Sequence, residues 1–537
     1  MGNGQLALAV FLTACSSPEV PSIVLVGGKI FTADSTRPWA EAIAVTGEWI
    51  SAVGTTDSIR RLAGKATRII ELNGAVVVPG FNDAHDHVSG EPPPTFMADL
   101  APLPDPPGRV VLDSVRAVAS RLPQGTLITT YIGTRILGDA SVRRTALDHA
   151  APNHPVLLLA WSGHGTIANT AGLKALGVTD SSADPLGGHI DRDARGAVTG
   201  YLQEYAQWSP TIHRGPAGGA DVLKAGLRAA VDSGVTYGIT SIQSFSNGGT
   251  PDMWREALAD STLAVRFRLL VMPGTTPAGR VEAPWDSLRT DPAVGSRVAG
   301  LKYVVDGTPV EGLAFMRQPY ADGIGHGRLN FPVDTIRAML QQCVTRGIQP
   351  LIHAVGDSTA VIVLGLMAEI APDSVWHRLR PRIEHGEGVT ADLIPLAKRL
   401  GVIVVQNPTH FALEGVATAR WGARRRTEQQ LFKSLLAAGV PIAIGSDGPR
   451  PTGINLLLAV IHPDNPPEAL TMEQAVTAYT SGSAYAEHTE HVKGTIAAGM
   501  MADLAVLSQD IFTVPPPQLP ATRSVLTLVG GRVVYQK

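Results

Sequence analysis

Hydrophobic positions along the 537-residue chain fall into three regimes. From 22 to 75, short β-rich runs alternate with turn residues: Ile23-Val24-Leu25-Val26 ahead of Gly27-Gly28, then Ala42-Ile43-Ala44-Val45, Trp49 to Gly54 and Arg68 to Leu72. Runs punctuated in this way predict a small β domain. The pattern returns from 494 to 537, in Ala502 to Leu507 and Ser524 to Tyr535, where Val529-Gly530-Gly531-Arg532-Val533-Val534 echoes Val26-Gly27-Gly28-Lys29-Ile30-Phe31. The two chain ends are therefore expected to complete one small β-sandwich domain. Between them, apolar strand runs alternate with helical patterns: Val76 to Phe81, Ile239 to Phe245, Phe267 to Met272, Gly300 to Val305, Pro350 to His353, Pro381 to His385, Val402 to Gln406 and Pro441 to Ser446. Eight strands, spaced by helices such as Asp221 to Asp232, Asp334 to Arg346 and Thr390 to Leu400, predict an α/β fold. The expected form is a (β/α)8 TIM barrel over 76–493 with its active site at the C-terminal strand ends.

The stretch from about 90 to 219 is too long for a βα connection and carries helix and strand patterns of its own, so it is expected as an insertion over the barrel top. Pro-rich patches at Glu91 to Thr95 and Pro102 to Gly108 suit the exit into it. At the start, Leu6 to Ala14 is an apolar run closing on Leu12-Thr13-Ala14-Cys15, which resembles a bacterial lipobox with Cys15 as the lipidated residue. Residues 1–21 are thus expected as a lipoprotein-like signal and linker, although no Lys or Arg precedes the run. The expected location is the bacterial cell envelope, lipid-anchored or periplasmic, with the cytoplasm the alternative if the signal is incomplete. No later stretch approaches the ~18 apolar residues of a membrane span, so the anchor on Cys15 is the only membrane attachment expected.

Composition narrows the ligand. A hydrophobic content of 44% supports a large core, while a net charge of −3 without any Lys/Arg-rich run excludes a nucleic-acid partner and points to a small-molecule substrate. Of two cysteines, Cys343 sits in a helical pattern and reads as a buried thiol, so no disulfide is expected in the mature body. The sequence leaves the assembly open, a homodimer included.

The candidate chemistry lies at strand ends. Alternate side chains of a strand share a face, so His85 and His87 point the same way and Asp86 points away. Two converging imidazoles make half of a divalent-metal site. Other strands end in polar residues as well: Lys302 in the fourth, His353 after the fifth, His385 after the sixth and Asp447 after the eighth.

The stretches Pro79 to His87, Gly300 to Gly307, Ile352 to Asp357, Arg382 to His385 and Gly445 to Pro449, with the closing Gly494 to Gly499 and Ala502 to Leu504, resemble the amidohydrolase superfamily. Within it, the chain is similar to the branch of N-substituted formamide deformylase and the YtcJ-like proteins. The resemblance implies two divalent ions, zinc first, with manganese, iron or cobalt as alternatives. Lys302, carboxylated by carbon dioxide to a carbamate, would bridge them. A buried lysine beside metals loses its proton readily, which the carbamate requires. His85, His87 and Asp447 would hold one ion, and His353 and His385 the other. The implied reaction is attack of a metal-bridging hydroxide on a non-peptide, N-acyl or N-formyl C–N amide bond of a small molecule. Asp447 would take the proton and pass it to the departing nitrogen.

The family pattern gives two further histidines catalytic roles outside the ligand set. His410, in Gln406-Asn407-Pro408-Thr409-His410, would hydrogen-bond the substrate carbonyl or oxyanion, and His164, in the insertion, would reach down to the substrate. Glu204, in Gly200-Tyr201-Leu202-Gln203-Glu204, is placed near the pocket but outside the ligand set. Asp357 reads as the N-cap of the helix beginning at Ser358 rather than as a ligand. Pro309-Val310-Glu311-Gly312 stands where the family commonly has small and hydroxyl residues, which leaves the substrate open. Two rivals remain: a mononuclear deaminase or an ester or lactone hydrolase of the same superfamily, and a non-catalytic, lipid-anchored small-molecule binding protein. All six proposed ligands are retained, which argues against the second.

Overall fold

The computed structural model describes residues 20–88, 95, 106–208, 219–246, 249–448 and 450–537. The lipobox at Leu12 to Cys15 and most of the Pro-rich exit into the insertion lie outside the described residues. Eight strands run parallel, side by side, in chain order: Phe81–Asp86, Ile239–Phe245, Arg266–Val271, Val298–Val304, Pro350–His353, Arg382–His385, Ile403–Gln406 and Ile442–Ile444. We call them barrel strands 1 to 8. The cylinder closes where the Asp447 N–H donates to the His85 carbonyl at 2.8 Å and the Ser446 N–H donates to Asp83 Oδ1 at 2.8 Å. Helices cover the outside, each with an apolar stripe turned inward. The helix Val333–Arg346 buries Ile336, Met339, Leu340 and Cys343, and stops at Gly347 in the left-handed conformation that favours glycine. Chain order, parallel pairing and helical cover are those of a (β/α)8 barrel, as expected.

The apolar run expected as the first barrel strand is in fact two strands. Val76–Pro79 pairs with Leu504–Leu507 and Lys29–Phe31 in a six-stranded sheet, and only Phe81–Asp86 enters the barrel. Val77 faces the core between the two small-domain sheets, whereas Val76 and Val78 face the barrel core. A strand buried on both faces reads as a continuous apolar run, which conceals the sheet it joins. Gly80 makes the crossing, because a Cβ there would lie 2.2 Å from Thr240 Oγ1. The six-stranded sheet draws on both chain ends, in the order Arg532–Gln536, Ser524–Val529, Leu504–Leu507, Val76–Pro79, Lys29–Phe31, Trp39–Ala40. A second sheet of four strands, all from the N-terminal stretch, packs against it.

Residues of the long insertion build a five-stranded sheet from Ile128–Ile132, Val156–Ala160, Gly165–Ala168, Gly188–Arg192 and Val198–Glu204. Its core reaches Val310 and Val416, in the segments that follow barrel strands 4 and 7, so the insertion sits on the C-terminal ends of the strands. The Val304 N–H donates to the Tyr205 hydroxyl at 3.0 Å, tying the insertion to barrel strand 4.

Candidate metal centre

Barrel strand 1 delivers His85 and the residue after its end delivers His87, whose Nε2 atoms face each other at 3.2 Å. Asp447 follows barrel strand 8 in the left-handed region, at φ 51°, and brings Oδ1 within 3.4 Å of His85 Nε2 and 3.1 Å of His87 Nε2. His353 and His385 end barrel strands 5 and 6, with His353 Nδ1 and His385 Nε2 2.9 Å apart. Hydrogen bonds on the far sides of the rings decide which nitrogens are bare. His85 Nδ1 donates to Glu384 Oε2 at 2.6 Å, and His385 Nδ1 donates to Asn407 Oδ1 at 2.9 Å. His353 Nε2 donates to the Gly307 carbonyl at 3.4 Å. The nitrogens turned inward therefore carry lone pairs, and lone pairs packed together at these distances repel unless a cation lies among them. This donor set fits divalent metal.

The electrostatics agree. Burial, helped by Lys302, pushes His85 down to about 4, and burial also pushes His353 and His385 well below the usual imidazole value, so all three are neutral as ligands must be. Burial works to raise Asp447, but His85, His410 and His87 outweigh it and hold the carboxyl well below its ordinary range. Lys302, on barrel strand 4, is 2% exposed, and its Nζ has no hydrogen-bond partner among the described residues. It lies 4.1 Å from the centroid of the Phe245 ring. Burial lowers it to about 8 although Glu384 and Asp447 favour the charged form. An orphaned, readily deprotonated amine beside the converging histidines suits carbamate chemistry better than a structural ammonium would.

His410 and His164 both reach the site, each held there by a buried carboxylate. His410 donates Nδ1–H to Glu387 Oε1 at 2.7 Å and Nε2–H to Asp447 Oδ2 at 3.0 Å. Burial opposes its charge, yet Glu387 and Asp447 push it up to about 10. His385, His410 and Asp447 form a second convergent trio beside His85, His87 and Asp447. His164 lies with its ring centroid 4.9 Å from that of His353, and its Nδ1 donates to both oxygens of Glu204 at 3.0 and 3.1 Å. Glu204 is fully buried, takes a second bond from Asn330 Nδ2 at 3.1 Å, and has left-handed backbone at φ 52°.

Asp357 does not cap its helix. It is the first residue of Asp357–Ile370, and its Oδ1 accepts the Arg317 N–H instead. The turn into the helix is held instead by Asp306, whose carboxylate accepts the N–H groups of Phe315, Val355 and Gly356 and the Thr359 hydroxyl at 2.7–3.1 Å, while the first-turn Ser358 N–H donates to the Phe315 carbonyl at 3.1 Å. Glu384, Glu387, Arg382 and Asp306 all escaped the sequence reading. One signal was present: in Arg382-Ile383-Glu384-His385, charges alternate along a barrel strand that has no solvent face.

A parallel barrel with a histidine, aspartate and lysine cluster at its C-terminal strand ends defines the class: a metal-dependent hydrolase. The chain belongs to the amidohydrolase family, whose model matches residues 68–535. YtcJ of Bacillus subtilis strain 168 is 27% identical over 535 residues, spanning 95% of this chain and 99% of its own. N-substituted formamide deformylase of Arthrobacter pascens is 26% identical over 553 residues, spanning 97% and 99%. An uncharacterized metal-dependent hydrolase from Pyrococcus horikoshii OT3 shares the fold, with a TM-score of 0.67 at 19% identity, over 92% of this chain and 99% of that one.

Proposed function

We propose that the protein is a two-metal amidohydrolase that cleaves a non-peptide C–N amide bond, N-acyl or N-formyl, of a small molecule. The observation that carries this reading is Lys302, a buried amine without a partner standing among neutral histidines whose bare nitrogens converge. His85, His87 and Asp447 would hold one ion, His353 and His385 the other, and a carbamate on Lys302 would bridge them. Ions bound there supply a water acidic enough to react near neutrality and a polarised substrate carbonyl. Asp447 accepts the proton released in the attack and returns it to the departing nitrogen, which leaves poorly as an anion. His410, gripped between Glu387 and Asp447, keeps the Asp447 carboxylate turned toward the reacting atoms. His164, aimed by Glu204 from the insertion, donates to the substrate oxygen as negative charge develops on it.

The amide specificity draws on the deformylase resemblance, while hydrolysis itself belongs to the family. Metal analysis of the purified protein, combined with a screen of N-formyl, N-acyl and cyclic amides, tests both parts. About two ions per chain and turnover of an amide support the reading. One ion with release of ammonia from an amidine-type substrate would replace it with the deaminase, and tight binding of a ligand without turnover would replace it with the binding protein. We also propose a lipid anchor on Cys15 that holds the enzyme at the bacterial cell envelope.

A further inference from the structure

We propose that Arg382 and Glu384 are positioning residues that hold His85 in one orientation and one tautomer from inside the barrel, and so set the affinity of the His85, His87 and Asp447 group for its ion. The inference rests on the two-ion reading above and assigns work to two residues outside the ligand set. Both sit on barrel strand 6 and are fully buried. Arg382 Nε donates to Glu384 Oε1 at 2.7 Å and Nη2 to Glu384 Oε2 at 3.0 Å, a two-point grip that leaves the carboxylate no freedom to rotate. The same guanidinium reaches across the barrel to the Ala84 carbonyl at 2.6 Å, the residue just before His85, and to Gln243 Oε1 on barrel strand 2 at 2.7 Å. Glu384 Oε2 then accepts His85 Nδ1–H at 2.6 Å. That bond places the ring proton on Nδ1 and leaves the Nε2 lone pair toward the ligand group.

The two histidines of the His-x-His motif are held very differently. The His85 N–H donates to Asp83 Oδ1 at 3.2 Å, its carbonyl accepts from Asp447, and its ring is held by Glu384. His87 has an Nδ1 with no partner among the described residues and a side chain 32% exposed. His85 is held from both sides, whereas the His87 ring meets polar neighbours among the described residues only at Nε2, 3.1 Å from Asp447 Oδ1, with its backbone N–H donating to Asp86 Oδ1 at 2.7 Å.

Support for His85 continues through the barrel. Gln243 Nε2 donates to Asn82 Oδ1 at 3.2 Å and Asn82 Nδ2 to Glu487 Oε1 at 2.7 Å. Lys493 Nζ closes the line, 2.6 Å from Glu487 Oε1 and 2.7 Å from Ser241 Oγ. Every member is buried, so turning any one away leaves a polar group unpaired in the core. A buried Arg–Glu pair is worth little net stability compared with apolar side chains of the same volume. What the pair does supply is geometry, and the geometry ends on His85.

Zinc titration of the full chain, first stripped of metal, in competition with a chromophoric chelator tests this, with thermal unfolding of each apo protein followed alongside. Glu384→Gln keeps the shape and an acceptor for His85 but loses the charge and half of the Arg382 grip. One zinc should bind about 10–100-fold more weakly and the other as in wild type, even though the apo protein loses stability as the buried Arg382 loses part of its partner. Arg382→Lys, which keeps the charge and loses the two-point contact, should shift the same ion in the same direction. Unchanged affinity for both ions in Glu384→Gln overturns the inference. So does equal weakening of both ions in both variants, the mark of a merely structural pair. If wild type itself takes up a single zinc, the two-ion reading fails and that one ion decides here: weaker binding in Glu384→Gln supports positioning, and unchanged binding overturns it. Should Glu384→Gln not fold, Arg382→Lys decides by the same criterion.

Discussion

Lys302 carries the most demanding role in the proposed mechanism, because an unmodified lysine would offer a charge of the wrong sign beside the two proposed cations. Lys302→Ala should lose roughly 100-fold or more in metal affinity and lose turnover with it. Acetate or propionate entering the vacated space should restore part of both, whereas chloride at the same concentration should not. Lys302→Arg stays charged and cannot form a carbamate, so it should be inactive and not rescued. Retention of two ions and near-normal turnover in Lys302→Ala would make the lysine structural. His164 offers the opposite signature. It lies outside the ligand set, so His164→Ala should keep its metal content while kcat falls by about 10²-fold or more. Glu204→Gln should fall in the same direction, since it weakens only the aim of the ring.

At the scale of elements, the loop after barrel strand 5 matters most, because it must leave His353 facing the site while turning into the helix Asp357–Ile370. Asp306, at the end of the neighbouring strand, takes the free N–H groups of that turn onto one carboxylate. Asp306→Ala would leave several buried donors unpaired at once, and roughly 3 kcal/mol or more of stability should be lost. Equilibrium unfolding in urea measures this, and a loss under about 0.5 kcal/mol, the range of ordinary surface changes, would show that water satisfies those donors instead. Gly80 tests the crossing between domains in a similar way. Gly80→Val would drive atoms into Thr240, and a cost of about 1–3 kcal/mol is expected from overpacking.

For the molecule as a whole, the two chain ends are mutually dependent. Strands Leu504–Leu507, Ser524–Val529 and Arg532–Gln536 make up half of the six-stranded sheet, and they cover Val77 and Leu25 from one side of the small-domain core. Removing 494–537 would expose that core and the edge of Val76–Pro79, so the truncated chain should be recovered in aggregates rather than in the soluble fraction. A soluble truncated chain with wild-type metal content would show that the barrel stands without the sheet. The proposed anchor is a separate matter. Cys15→Ser should release the protein from bacterial membranes in a fractionation experiment, and an unprocessed cytosolic wild type would show that the Leu12 to Cys15 run is not read as a signal.

The sequence alone determined the number and order of the barrel strands after the first, the helices between them, the β-rich ends and the strand-end positions of His85, His87, Lys302, His353, His385 and Asp447. Each of these is local: a period of burial or a residue's offset along a strand. Periodicity reports that a face is buried, not what buries it. That is why Val76 to Phe81 read as one barrel strand, when its first half pairs with a segment more than 400 residues further on in the chain. It is also why Asp357 read as a cap, when the turn into that helix is held by Asp306 from the neighbouring strand. Partner choice among buried polar groups was decided only in three dimensions. Glu384 and His85 stand 299 positions apart, and nothing in either neighbourhood specifies the other. Their bond exists because closing the barrel brings strands 1 and 6 across a common interior from which water is excluded, so that the buried Glu384 carboxylate must take its partners from the strands around it.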